Sequence, residues 1–274
     1  MAQMWKVFSE GAAYCWNGFW TYTDPRVENL PLMRSPFPML TILAAYLYFV
    51  LSLGPRFMKH RKPYNLDKVM IVYNAVQVIW CCWLAKLGLE LVWLGEYSYT
   101  CQPLTWDMTQ REYDYAFVVW CYFVLKIVDL LDTVFMVLRK NNRQITFLHL
   151  YHHTNMVWGS WIGTKFHPGG HHTFFGATNT IVHCLLYSYY LISLFEPRVK
   201  GAWWKKYVTL SQIVQFGLNA VHGIIPFLIP GCNVNKLIGG ALLAQNMYMF
   251  ALFGDFYYKN YVRKGATRSQ DKDS

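Results

Sequence analysis

The stretch YAFVVWCYFVLKIVDLLDTVFMVL, Tyr115 to Leu138, decides the fold class. At about 1.5 Å per residue it is long enough to cross the ~30 Å apolar core of a bilayer. It is aromatic and aliphatic except at Lys126, Asp129, Asp132 and Thr133. Ionisable side chains at membrane depth are costly, so their presence points to function.

Six further stretches have similar length and character: Phe37 to Leu53, Lys68 to Leu94, Ile145 to Ile162, His172 to Phe195, Tyr207 to Leu228 and Lys236 to Tyr258. The one around the histidines, Ile145 to Ile162, is the least apolar. The sequence therefore predicts an all-α membrane protein. Residues 1–262 form one domain of seven transmembrane helices, and residues 263–274 form a polar cytosolic tail without a fold of its own. Composition agrees. Hydrophobic residues make up 54% and charged residues 15%, against about 25% charged in soluble domains. No internal repeat and no separate soluble domain is visible, and Met1 to Glu10 lacks the apolar core of a cleavable signal peptide.

The net charge of +10 would suggest nucleic acid for a soluble chain, but the basic residues lie in short loops between apolar stretches, so no nucleic-acid partner is expected. Seventeen of the 25 Lys and Arg residues fall on one side. They are Arg56 to Lys68, Arg139, Lys140 and Arg143, Arg198 to Lys206, and Lys259 onward. Six fall on the other side, and Lys86 and Lys126 lie within spans. The positive-inside rule makes the rich side cytosolic, with the N-terminus lumenal and the C-terminus cytosolic. Cys101 and Cys232 then share the lumenal side, where oxidation is permitted. They are expected to pair, with two free thiols as the alternative. Cys81, Cys82, Cys121 and Cys184 read as packing residues.

Four spans carry polar residues with helical spacing. Lys126, Asp129 and Thr133 align on the third, with Asp132 on the flank. His149, His152 and His153 share a face of the fourth, while Asn179, His183, Tyr187 and Tyr190 form a stripe on the fifth. Gln212, Gln215, Asn219 and His222 occupy one arc of the sixth. Measured from the cytosolic ends at ~1.5 Å per residue, Asp129, His152, Tyr187 and Gln215 lie ~10–13 Å deep and His183 ~18 Å. This shared level predicts a polar chamber in the cytosolic half of the bundle. Any one of these residues alone would read as an interhelical hydrogen bond. Lys126 and Asp129 are spaced to neutralise one another, as are Lys86 and Glu90.

The box His149-Leu-Tyr-His152-His153 supports metal binding or acyl chemistry by histidine. A second cluster, His167, His171 and His172, falls at the opposite, lumenal end. Two irons would therefore be thinly supplied with ligands, and no metal is expected. These lumenal histidines are read as shaping a loop with Pro168, Gly169 and Gly170.

In these residues the chain resembles the ELO family of fatty acid elongases. HLYHH, His149 to His153, matches the family pattern H-x-x-H-H. KIVDLLDT, Lys126 to Thr133, matches K-x-x-E-x-x-D-T except at Asp129, where the family has Glu. NTIVHCLLYSYY, Asn179 to Tyr190, and TLSQIVQ, Thr209 to Gln215, match two further patterns, in order and on the expected spans.

The resemblance implies decarboxylative condensation of a long-chain acyl-CoA with malonyl-CoA to 3-oxoacyl-CoA, carbon dioxide and CoA, with no cofactor. It places the enzyme in the endoplasmic reticulum membrane among the reductases and dehydratase of an elongation cycle, although the C-terminus lacks a dilysine retrieval signal. His152, as nucleophile or general base, would be assisted by His149, His153, His183, Lys126, Asp129 and Asp132. Asn179, Tyr187, Tyr190, Gln212 and Gln215 would contact the substrates, and Arg139, Lys140 and Arg143 the CoA phosphates. Two other readings remain at this stage: a di-iron lipid desaturase or hydroxylase, and a seven-helix receptor. A homodimer is compatible with the sequence, which specifies neither oligomeric state nor chain length.

Overall fold

The computed structural model describes residues 22–263, apart from positions 96, 197 and 200–202. The N-terminal segment, Lys200 and the polar tail beyond Arg263 lie outside the described residues. Most of the rest is helical: α1 (Pro36–Met58), α2 (Asp67–Trp93), α3 (Gln110–Val128), α4 (Leu131–Leu138), α5 (Phe147–Phe166), α6 (Thr173–Phe195), α7 (Lys205–Leu228) and α8 (Lys236–Arg263). No strand occurs among the described residues.

Local chemistry sets the helix starts. Ser35 caps α1 through Oγ, followed by Pro36 in the first turn, where a missing N–H costs nothing. Thr109 caps α3 by accepting from the Glu112 backbone N–H, Thr146 caps α5 at His149, and Asn235 caps α8 at Ile238. The α5 cap places the histidine box within the helix's first two turns.

Helices α1, α2, α7 and α8 are long and apolar enough to cross a membrane. Their outward faces are apolar as well. On α2, Val69, Val72, Val76, Ile79 and Trp83 are exposed at steps of three and four. On α7, Val214, Leu218, Val221, Ile224 and Leu228 repeat the pattern. Apolar stripes on the outside of a bundle suit hydrocarbon rather than water.

The closest packing joins α2 to α6 and α7 to α8, while α3 and α1 pack on α5 and α6 packs on α7. A core of Met39, Leu43, Phe123, Val157 and Trp161 fills the space between α1, α3 and α5. Gly54 marks a close approach: a Cβ there would lie 2.7 Å from Cγ1 of Val137, so α1 and α4 touch only because the position is glycine.

The sequence reads Tyr115 to Leu138 as one continuous span, and the structure corrects this. The helix breaks at Asp129–Leu130, between α3 and α4. Asp132 donates its backbone N–H to Asp129 O rather than to Val128 O. The freed Val128 carbonyl accepts instead from the Tyr73 hydroxyl of α2 at 3.3 Å. No proline or glycine marks the break, which is held by a side chain from another helix.

At the end of the bundle where Gln102, Lys165 and Cys232 lie, a disulfide joins Cys101 to Cys232, with Cα atoms 5.8 Å apart. Arg26, fully enclosed, pairs with Asp24 and Glu112. Burial works against its charge, and the two carboxylates more than offset this, so its pKa stays above the ordinary value. The backbone N–H of Asp24 donates to Lys165 O, pinning the segment before α1 onto the end of α5. In the turn between α5 and α6, Gly170 has φ +70° with the Leu104 backbone 3.0 Å from a would-be Cβ, so only glycine fits. His171 donates its backbone N–H to Gln102 O and stacks its ring on His222 at 3.9 Å.

Candidate functional site

At the α3–α4 break the buried charges come together. Lys126 Nζ lies 3.0 Å from Asp129 Oδ2, with side-chain exposures of 1% and 3%. Its ammonium also faces the Tyr122 ring at 4.8 Å, a cation–π contact. Asp129 Oδ1 accepts from Tyr187 of α6 at 2.9 Å and from Gln77 of α2 at 2.8 Å. The Tyr187 hydroxyl is also 2.9 Å from Asp132 Oδ2, so one phenol spans two carboxylates.

His183 of α6 closes this group. Its Nδ1 is 3.5 Å from Lys126 Nζ and 3.7 Å from Asp129 Oδ2. The second distance exceeds hydrogen-bond reach, and an ammonium can only donate. Nδ1 is therefore the acceptor, which leaves the proton of a neutral His183 on Nε2. In this tautomer the second ring nitrogen is a donor.

The histidine box of α5 faces the same group. His149 Nε2 is 2.8 Å from Thr133 Oγ1, which is 2.8 Å from the Tyr46 hydroxyl of α1. The His153 ring packs against His149 at 4.3 Å and edge-on to His152 at 5.7 Å. His152 stands edge-on to Phe216 and Phe253. It lies within electrostatic range of Lys126, His149 and His183. Among the described residues its imidazole has no hydrogen-bond partner, unlike that of His149.

One helical turn from His152 and His183, a cavity of about 200 Å³ begins. Asn155, Asn179, Gln215, Gln245 and Asn246 line its near end, and His167, His172 and Thr173 its far end. Gly159 and Gly163 of α5 lie between them, and a Cβ at either would meet nothing within 4 Å. Asn179 accepts from Tyr122 at 2.9 Å, and Asn219 accepts from Thr178 at 2.8 Å. The lining thus passes from amides near the charged group to an apolar middle. At the far end burial pushes His167 down to about 4, with Arg26 adding to the shift and Asp24 partly opposing it. Burial lowers His171 as well.

The remaining expected residues are placed less centrally. Gln212 is half-buried, and Tyr190 packs edge-on to Tyr187 at 6.0 Å. His222 belongs to the stack with His171 and Phe174, away from the α3–α4 break. Arg139 pairs with Asp67 at 3.1 Å, so it ties α4 to the start of α2. Lys140, with φ +54°, donates to Lys59 O, and Arg143 is exposed in the short turn Asn142–Gln144. Among the described residues no group of three His, Cys, Asp or Glu is arranged to hold a metal ion.

Residues that the sequence reading passed over also enter the site: Tyr73 and Gln77 of α2, Tyr46 of α1, and Asn155, Gln245 and Asn246 around the cavity. Gln77, fully buried in an apolar span, carries the same signal as the polar residues of the other four spans.

Comparison with known proteins places this arrangement in context. The family model described as GNS1/SUR4 (ELO) matches residues 31–269. The chain is 41% identical over 243 residues to very long chain fatty acid elongase 7 of Drosophila melanogaster, covering 88% of this chain and 74% of that protein. It is 37% identical over 244 residues to very long chain fatty acid elongase 1 of Mus musculus, covering 88% of each. It is 40% identical over 250 residues to very long chain fatty acid elongase 4 of Homo sapiens, covering 90% of this chain and 78% of that protein.

Proposed function

The chain belongs to the GNS1/SUR4 (ELO) family, and on that premise we propose that this fatty acid elongase is the condensing acyltransferase of elongation. It joins a long-chain acyl-CoA to malonyl-CoA and releases 3-oxoacyl-CoA, carbon dioxide and CoA. The observation that carries this reading is His152, a histidine without a hydrogen-bond partner among the described residues, beside a donor histidine, His183. Both stand one turn from a mainly apolar cavity.

We assign the roles as follows. His152 attacks the acyl thioester, CoA thiolate departs, and the acyl group rests on the imidazole. His149 is held by Thr133 and keeps its box partners in place. Malonyl-CoA then loses carbon dioxide, and the resulting enolate carbon takes the acyl group and frees His152. The Nε2–H of His183 stabilises the enolate oxygen, backed by the Lys126 ammonium. In the rival mechanism His152 acts as a general base and the acyl group passes directly between the two CoA esters.

The acyl tail extends through the cavity along α5 toward His167 and His172. The separation from His152 to His167 is fifteen residues, ~22 Å of helix. A tetrahedral chain of ~1.5 Å bonds advances about 1.25 Å per carbon, so the path accommodates roughly eighteen carbons.

In this reading seven membrane-crossing segments (α1, α2, α3 with α4, α5, α6, α7 and α8) form one domain in the endoplasmic reticulum membrane. The charged group lies in the cytosolic half, and the disulfide end faces the lumen. Lys140 and Arg143 are left to meet CoA phosphates. No cofactor is required, and the partners are the reductases and dehydratase that process the 3-oxoacyl product.

Purified protein given radiolabelled malonyl-CoA and a series of acyl-CoAs tests the reading. Carbon dioxide and 3-oxoacyl-CoA form with wild type, survive a chelator and disappear in His152→Ala. No product from any acyl-CoA, or activity abolished by chelator and restored by iron, sinks it.

A further inference from the structure

Gln77 lies on α2, outside the four polar stretches that carry the family patterns, and it is 0% exposed. Its amide nitrogen donates 2.8 Å to Asp129 Oδ1 and 2.9 Å to the Tyr73 hydroxyl. Tyr73 donates to the Val128 carbonyl. Two α2 residues one turn apart therefore hold both the backbone before Asp129 and its carboxylate.

Asp129 stands where the family pattern has glutamate, so its carboxylate arm is one methylene shorter. A shorter arm has less reach, and here it is met from across the helix interface. With Gln77 and Tyr187 on Oδ1, Oδ2 is turned to Lys126. Lys126 in turn faces Nδ1 of His183. Without Gln77, Oδ1 keeps one donor, the carboxylate is free to rotate, and the ammonium loses its fixed place.

We infer that Gln77 is a positioning residue that holds Asp129 and Lys126 so that His183 keeps its proton on Nε2. Gln77 touches none of the reacting atoms, and its effect passes through Asp129 and Lys126. Among the described residues the Oε1 atom of Gln77 and the Nδ2 atom of Asn74, both buried, have no partner. Such unpaired amide atoms carry a desolvation cost and persist where another requirement fixes the side chain.

The kinetic consequence rests on the condensing reading, whereas the tautomer consequence does not. Two measurements on the full-length protein in lipid nanodiscs separate them. In the first, histidine-¹⁵N-labelled protein is examined by NMR, with His183 assigned by difference from His183→Gln. Wild type shows Nε2–H at His183. Gln77→Leu and Gln77→Asn show mixed tautomers. An Nδ1–H wild type, or an unchanged signal in both variants, overturns the inference whatever the enzyme's activity.

In the second, kcat and KM are compared in a length-swap cycle. Gln77→Asn shortens one arm by a methylene, and Asp129→Glu lengthens the other. Gln77→Asn lowers kcat by tenfold or more at nearly unchanged KM, an effect of the size expected for a coupled hydrogen-bonded pair. The double variant recovers most of that loss. A Gln77→Asn enzyme with kcat within twofold of wild type, or no recovery in the double variant, overturns the inference. Wild-type inactivity toward every acyl-CoA instead removes the condensing reading and leaves the NMR result standing.

Discussion

Lys126 Nζ lies 3.0 Å from Asp129 Oδ2, sealed from solvent, three residues apart across the last turn of a helix that breaks at the carboxylate. Each charge is affordable at that depth only because of the other. Removing one partner of such a pair costs about 3–5 kcal/mol, whereas replacing both with apolar groups is often neutral. Lys126→Met and Asp129→Leu are each expected to lower the unfolding temperature in detergent, and the double variant to recover it. Condensation stays lost in all three, because His183 loses the ammonium where Lys126 is replaced and the ammonium loses its fixed place where only Asp129 is replaced. Thermal unfolding and malonyl-CoA turnover measured on the same preparations check this. Activity in the double variant would show that the pair only supports the fold.

The choice between nucleophile and base at His152 is open to mass measurement. Incubation with a long-chain acyl-CoA alone, without malonyl-CoA, is expected to add one acyl mass to wild type and release one CoA. His183→Ala should also acylate, because the donor is needed only at the enolate step, yet it should fail to condense. His152→Ala should add nothing. If wild type never gains the acyl mass while turning over normally, direct transfer between the two CoA esters is the mechanism.

Gly159 and Gly163 stand seven and eleven residues beyond His152, ~10 and ~16 Å along α5. At about 1.25 Å per carbon this is near the eighth and thirteenth carbons of an extended chain. A Cβ at either position enters open space. Gly163→Leu is therefore expected to cut turnover of sixteen- and eighteen-carbon acyl-CoAs by about tenfold or more while sparing twelve-carbon ones, a steric block of the kind that overpacking imposes. Gly159→Leu should move that limit down by about one helical turn of chain, roughly five carbons. Equal loss for all chain lengths would place the acyl path elsewhere.

Helix positions were legible because apolar runs of spanning length are a strong signal, and the expected boundaries of α2, α6 and α7 fall within a residue or two of those observed. The break at Asp129 was not legible. It depends on Tyr73 reaching the Val128 carbonyl from 55 residues away, and neither proline nor glycine announces it. The same holds for Arg139. In a loop its charge reads as a phosphate ligand or a topology signal, and only the fold brings Asp67 beside it. Gln77 was legible in principle, since a lone amide in an apolar span has the same cost as a lone histidine. It lies on α2, outside the four stretches that carry the family patterns.

His167, at the far end of the cavity, yields a prediction with a defined pH window. Its folded pKa is pushed down to about 4 by burial, below the ~6.5 of the unfolded chain. Between those values the unfolded state binds more protons than the folded one, so stability rises with pH across the window. The contribution is fully present above pH 6.5 and is lost as pH falls toward 4. At pH 5 the loss is on the order of 1–2 kcal/mol, a few degrees in unfolding temperature for a chain of this size. His167→Gln cannot take up that proton and is expected to flatten the dependence between pH 7 and 5. His171, lowered for the same reason, should preserve part of the slope. Unfolding temperatures of both proteins in one detergent, across that range and at constant ionic strength, are the measurement. An unchanged slope in His167→Gln would mean that His167 is hydrated in the folded protein and that water reaches the far end of the cavity.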